Sequence, residues 1–316
     1  MGWRGGAAAA LLLALAPAGA AGAGAQATTL RKAIALTAGE ITISPDATSA
    51  KVGSVQPGML LGIQSEAKNY LQIFSGAQGV SGWIRKQGYV ELDNPKAPEV
   101  LFGAAAGLEA LAESQANEET AANNAAQLFL SIYEYFPRSA RAAEALYRGA
   151  AIVWELKLSE EPTHADPSRR QFPSTELLRR VVSKYPKTQW AARAAYHLIV
   201  THFTCGSWFE KPDCIGKEIN QYDNYVKKYP ESPRAAQAAY DAIYRAGIAW
   251  TIYRQRTKVA NEQKAEQYQA EVAQRAAAME TDYPNTDWAA RAALEAFTVA
   301  QGEPLKLPNT QPLGGP

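Results

Sequence analysis

Tyr229-Pro230-Glu231-Ser232-Pro233-Arg234-Ala235-Ala236 decides the reading of this chain, because its phrase recurs. An aromatic residue, Pro, any residue and Ser or Thr precede an Ala-rich run at three further places: Phe136-Pro137-Arg138-Ser139, Tyr185-Pro186-Lys187-Thr188 and Tyr283-Pro284-Asn285-Thr286. The four prolines stand 49, 44 and 54 residues apart. Proline cannot continue a helix and turns the residue before it away from the α region, so one helix ends at each copy. Two residues on, Ser139, Thr188, Ser232 or Thr286 is placed to accept a free backbone N–H as an N-cap, and Pro233 suits the first helical position. Counting from each Pro, Ala fills the fifth, sixth and eighth positions in every copy, which lets helix axes approach closely. The tenth is large (Tyr147, Tyr196, Tyr240, Leu294) and is expected to fill the gap between helices. A period of this size implies helical units that are stable only when stacked on neighbours, an architecture that serves mostly for binding.

The phrase resembles tetratricopeptide repeats, in the variety found in periplasmic proteins of the Tol-Pal and outer-membrane β-barrel assembly systems, over residues 119–301. The resemblance implies an all-α solenoid in which the helix after each Pro lines the concave surface while the helix ending in aromatic-Pro packs outside. The units exceed the usual period of about 34 residues, so residues 159–172 and 256–267 are expected to lengthen loops or helices.

Residues 32–94 differ in character, being rich in Gly, β-branched residues and turn signals. Five short strands are expected, around Ile41-Thr42-Ile43, Val52 to Val55, Met59 to Ile63, Tyr70 to Phe74 and Trp83-Ile84-Arg85. Val52-Gly53 through Pro57-Gly58-Met59, then Asn69 to Phe74, then Gly82-Trp83-Ile84 resemble bacterial SH3-type domains, small barrels that often bind cell-wall peptides, peptidoglycan or protein partners. Tyr70 and Tyr89 are candidates for an SH3-like ligand groove. Phe74 and Trp83 are expected to fill the barrel core, since a domain this small has little else to build one. Residues 95–118 form a linker and leading helix, the helix starting near Glu99, and residues 302–316 a disordered tail. The fold class is therefore multidomain β + α: a small SH3-like β-barrel followed by an all-α TPR-like solenoid.

Arg4, the apolar run from Ala7 to Ala16 and the small residues after it make residues 1–27 a secretory signal peptide, cleaved after Ala25 or Ala27. A retained anchor is the competing reading. No Cys stands near the cleavage region, which excludes a bacterial lipoprotein, and no later segment is apolar enough to span a bilayer. The mature chain is expected in the periplasm or outside the cell. Without Arg4 the 31 remaining basic residues equal the 31 acidic ones, so the basic excess of a nucleic-acid binder is missing.

The ingredients of catalysis are scarce. The three His are His164, His197 and His202; His197 and His202 are five residues apart and about 140° apart on a helix, which does not suit a shared metal. Nucleophile-elbow, zinc-protease and phosphate-loop motifs are lacking, and Glu160-Glu161 reads as a loop pair. No enzyme activity, metal or cofactor is expected. Cys205 and Cys214 are expected to form a structural disulfide, given export and an even count.

Positions four, seven and eleven after each Pro fall within about 60° of one another on the helix. They read Arg141, Glu144, Arg148; Trp190, Arg193, His197; Arg234, Gln237, Asp241; and Trp288, Arg291, Glu295. This stripe is either a protein-binding groove or an ordinary solvated face, and Trp beside Arg favours the groove. The expected function is that of an exported, non-enzymatic scaffold holding envelope proteins, with peptidoglycan or a partner on the SH3-like domain. The alternative is an accessory targeting subunit of a secreted peptidoglycan hydrolase.

Overall fold

The computed structural model describes residues 31–114, 119–160, 173–200, 208–256 and 258–306. The expected signal peptide, His164, His202 and Cys205 lie outside the described residues.

The N-terminal part is one antiparallel sheet of seven strands: β1 (Arg31–Ala35), β2 (Gly39–Thr42), β3 (Lys51–Val55), β4 (Leu60–Ala67), β5 (Tyr70–Ser75), β6 (Val80–Arg85) and β7 (Tyr89–Glu91). Their order is β3-β2-β6-β5-β4-β1-β7. Sequence reading anticipates five of them; β1 and β7 are the additions. One face of the sheet builds a core of Ala33, Ala35, Ile41, Val55, Leu61, Ile63, Leu71, Ile73 and Ile84.

Strand β1 alternates in the literal sense, and its two faces serve two cores. Ala33 and Ala35 look into the sheet, whereas Ile34 joins Val90 of β7 in a cluster with Leu101, Ala105, Leu128, Phe129 and Ile132 of the first helices. One apolar core therefore contains residues from both sides of the expected domain boundary at residues 94–98. Gly58, at φ +85°, permits the close approach of the β3–β4 turn to the helix that follows: a Cβ there would sit 2.7 Å from that of Gln127.

Among the described residues nine α-helices follow: α1 (Ala97–Ser114), α2 (Glu119–Tyr135), α3 (Ala142–Glu160), α4 (Glu176–Lys184), α5 (Gln189–Val200), α6 (Ile215–Lys228), α7 (Ala235–Arg254), α8 (Val259–Asp282) and α9 (Asp287–Ala300). Each aromatic-Pro phrase joins a helix that ends to one that begins: α2 to α3, α4 to α5, α6 to α7, α8 to α9. The small residues do what their size allows. Ala142, Ala145, Ala191, Ala194, Ala238 and Ala292 are fully buried where helices touch.

The phrase works in two ways. Thr188 and Thr286 are true N-caps, their hydroxyls accepting from the N–H of Ala191 and Ala289 at 3.2 Å each. The Ser copies behave otherwise, a departure from the expected cap. Ser232 Oγ accepts from Arg234 N at 3.1 Å and pairs with the Tyr225 hydroxyl, so a turn intervenes, Pro233 stays outside the helix and α7 starts only at Ala235. Ser139 Oγ is buried without a partner. Thr188→Ala and Thr286→Ala should each cost about 1 kcal/mol, while Ser139→Ala should be neutral or stabilising, because it removes an unsatisfied buried hydroxyl. Urea unfolding midpoints of the three variants check this.

The array's last unit departs from the rest. Leu294, at the tenth position, is 65% exposed and does not fill a gap as expected, because no helix follows α9 among the described residues. Gly302 to Lys306, expected within a disordered tail, instead lie along α7, with Leu305 packed on its core.

Candidate protein-binding face

The stripe carrying positions four, seven and eleven is built by contacts between successive units. The fourth residue of each unit covers a ring of the unit before it. Trp190 lies 5.7 Å from the ring of Tyr147, Arg234 5.6 Å from that of Tyr196, and Trp288 5.3 Å from that of Tyr240. In the first unit Arg141 takes the same role over Phe102 of α1, at 4.4 Å. Trp190 and Trp288 are thus half-buried in the stack rather than free-standing anchors.

The eleventh position closes a second contact. Tyr196 donates its hydroxyl to Asp241 at 2.6 Å, and Tyr240 donates to Glu295 at 2.6 Å. Asp241 is buried, so it belongs to the interior and not to a solvated face; burial holds its carboxyl above the ordinary value. Burial also pushes Glu295 up to about 7, with Asp241 adding to the effect and Tyr240 and Arg291 opposing it. His197 rests edge-on against Trp154 at 5.0 Å, and burial, then the charge of Arg234, pushes it down to about 4. That makes it a neutral packing residue. The tyrosines at position ten are the members that sequence reading assigned only to packing, although a Tyr at ten followed by an acid at eleven of the next unit is a visible signal.

Position seven differs between units, Arg291 being exposed and Arg193 half-buried. Arg193 sits 5.1 Å over Trp190 and Arg291 4.8 Å over Trp288, two guanidinium groups held flat on indoles in equivalent places. Among the described residues no ion pair joins either of them, and Arg193 Nε lacks a hydrogen-bond partner. The Arg234 guanidinium donates to the neutral Gln237 side chain at 2.5 Å, and no ion pair joins it among the described residues. The first unit differs, because Glu144 is held between Arg141 at 3.6 Å and Arg148 at 3.4 Å, and Arg148 also pairs with Glu109. Cationic groups with spare donors therefore concentrate on α5, α9 and the residue before α7. Chemically, such a stripe can hold carboxylates or peptide carbonyls against aromatic surface.

The sheet's candidate groove is not assembled. Tyr70 lies outward with Gln72 and Phe74, while Tyr89 packs against the sheet's own core. Tyr89 also lines an open depression of about 520 Å³ with Lys86, Glu91, Asp93, Asn94 and Val100. Phe74 is 39% exposed and Trp83 half-buried outside the core cluster, against expectation. Strand parity explains this: Leu71 and Ile73 face inward with Ile84, and Gly82, in phase with Ile84, is squeezed where a Cβ would come 2.5 Å from Ile41.

Among the described residues no group of three or more His, Cys, Asp or Glu is placed to hold a metal ion. Cys214 is disulfide-bonded. No protein-family profile matches the chain, and no curated protein matches it.

Proposed function

We propose that this chain is an exported, non-enzymatic scaffold of the bacterial cell envelope, in which an SH3-like barrel is followed by a TPR-like solenoid whose stripe face holds an extended segment of a partner protein. The observation that carries the reading is the recurrence of a Trp–Arg pair at equivalent places on α5 and α9, with neither guanidinium in an ion pair among the described residues. A guanidinium preset on an indole loses little freedom on binding, which suits an interface anchor. The sequence signals for export and the near-balanced charge agree with an envelope protein and disfavour nucleic acid. No helix among the described residues is long and apolar enough to cross a membrane.

The alternative, a targeting subunit for a peptidoglycan hydrolase, is favoured by the outward aromatic face of Tyr70, Phe74 and Trp83 beside the amide of Gln72. The two readings separate experimentally. Arg193→Ala with Arg291→Ala should weaken capture of the partner from envelope extracts about tenfold or more, at nearly unchanged helicity and melting temperature: Arg291 is exposed, where substitution usually costs under about 0.5 kcal/mol, and half-buried Arg193 gives up a buried Nε that has no hydrogen-bond partner. Sedimentation with purified peptidoglycan should not respond to that pair. Unchanged capture at unchanged stability would make the stripe a plain surface and shift attention to the sheet.

A further inference from the structure

Helix α9, the last among the described residues, turns apolar side chains outward at positions that its predecessors keep covered. Counting from the Pro of each phrase, the sixth, tenth and thirteenth residues share one side of the helix that follows, within about 60°. In the earlier units that side is packed. Ala143, Ala192, Tyr196, Ala150 and Ile243 are buried there, and the rings of Tyr147 and Tyr240 are met by Trp190 and Trp288 of the next unit. On α9 the same three positions are Ala290, Leu294 and Phe297, and all three are exposed, Leu294 by 65% and Phe297 by 61%. The residues just beyond α9 do not return over them: Leu305 N donates to Thr251 Oγ1 at 3.0 Å and Lys306 O accepts from the Tyr244 hydroxyl at 2.8 Å, both on α7. End units of stacked arrays ordinarily turn a polar face to water. Here a leucine and a phenylalanine, one turn apart, stand in its place.

We propose that this face joins two copies of the chain, their α9 helices lying antiparallel about a two-fold axis beside Leu294. The occupant follows from how the array stacks. Helix α7 ends at Arg254 and α8 begins at Val259, so the two run antiparallel, and Tyr253 stacks on Tyr268 across them at 5.8 Å. A two-fold mate continues that stacking past α9, because identical helices related by an axis across them are also antiparallel. The face complements itself. Along the helix Ala290 lies about 6 Å before Leu294 and Phe297 about 4.5 Å beyond it. Turned over onto its own copy, each Phe297 therefore meets the small Ala290 of the other chain, and the two Leu294 side chains meet beside the axis. No like charges are opposed, since the same register sets Asp287 opposite Ala300 and Arg291 opposite Ala296. The face lies about 120° round α9 from Trp288, Arg291 and Glu295, so the joint does not rest on the partner-binding stripe.

Analytical ultracentrifugation of the full chain tests this, carried to about 200 µM because a joint of two 14-residue helices falls below the standard interface size and is weak. A reversible monomer–dimer equilibrium is expected. Phe297→Asp should raise its dissociation constant about tenfold or more while leaving the melting temperature nearly unchanged, since the residue is exposed in the single chain. Leu294→Cys, beside the axis, should cross-link to its own copy under mild oxidation, whereas Val259→Cys, 70% exposed at the start of α8, should not. A chain that stays monomeric throughout, whether its apolar face then meets a different protein or lipid, would overturn the proposal. So would association that survives Phe297→Asp, or cross-linking through Val259→Cys as ready as through Leu294→Cys.

Discussion

Replacing Glu218 with alanine should cost about 3–5 kcal/mol, because it strands a buried cation. Arg245 Nε donates to Glu218 Oε2 at 3.0 Å, Trp208 Nε1 donates to Glu218 Oε1 at 3.2 Å, and the two charged side chains are only 6% and 5% exposed. The guanidinium is further held over the rings of Tyr222 at 4.4 Å and Trp208 at 5.5 Å, with Nη1 on Asp241 O. These aromatic faces cannot substitute for the lost carboxylate, so the remaining charge bears the full cost of its desolvation. A paired change, Glu218→Met with Arg245→Leu, should recover most of the loss, since apolar side chains of similar volume need no counter-charge. Urea unfolding followed by circular dichroism reads both variants. An unaltered midpoint for Glu218→Ala would mean that the pair is solvated and that α6 and α7 are joined otherwise.

The consequence reaches the stripe, because Asp241 and Arg245 are one turn apart on α7 and the same helix carries Tyr240, Tyr244 and Gly247. Rigid seating of α7 fixes the spacing between Arg193 on α5 and Arg291 on α9. Under the proposed function, loss of the Glu218–Arg245 contact would therefore also weaken partner capture.

How much of this was legible follows from the range of the interactions concerned. The helix boundaries at the four prolines were readable because Pro, Thr and Ala act through their own backbone and immediate neighbours. Strand β5 was readable as a strand, yet not its facing, because Tyr70-Leu71-Gln72-Ile73-Phe74 carries apolar residues on both parities. Its inner side was settled by Gly82 of the adjacent strand, a long-range contact. Strand β1, Arg-Lys-Ala-Ile-Ala, offers too little β-branched content to announce itself and is stabilised by burial on two sides. The stripe's phase can be read from the Pro positions, but the burial of Asp241 and the packing of His197 cannot, since a charged or polar residue at that phase is normally solvated. Only the rings of neighbouring units, Tyr196 and Trp154, bury them. Nor did the sequence reveal that Leu305 returns to Gly247, a contact across the whole last helix pair.

Glu295→Gln should stabilise the chain by about 2–3 kcal/mol at pH 8 and by little or nothing near pH 4.5. Glu295 is held at about 7 by burial, against an ordinary value of 4.5. Between those values the folded chain keeps a proton that the unfolded chain has released. Stability contributed by this group is therefore fully present below the unfolded value and is lost as pH rises through about 7. Glutamine retains an oxygen to accept from Tyr240 but cannot ionise, so the variant escapes the loss. His197 has the opposite sense: its value is depressed to about 4, so its contribution is lost as pH falls from 6.5 toward 4. Because His197 is common to both chains, the difference between them isolates Glu295. Urea midpoints of the two proteins from pH 4.5 to 8 should diverge steadily and level off above 7. A constant difference across that range would show that the Glu295 carboxyl titrates alike in the folded and unfolded chain, and that the Tyr240 contact does not rest on its protonated form.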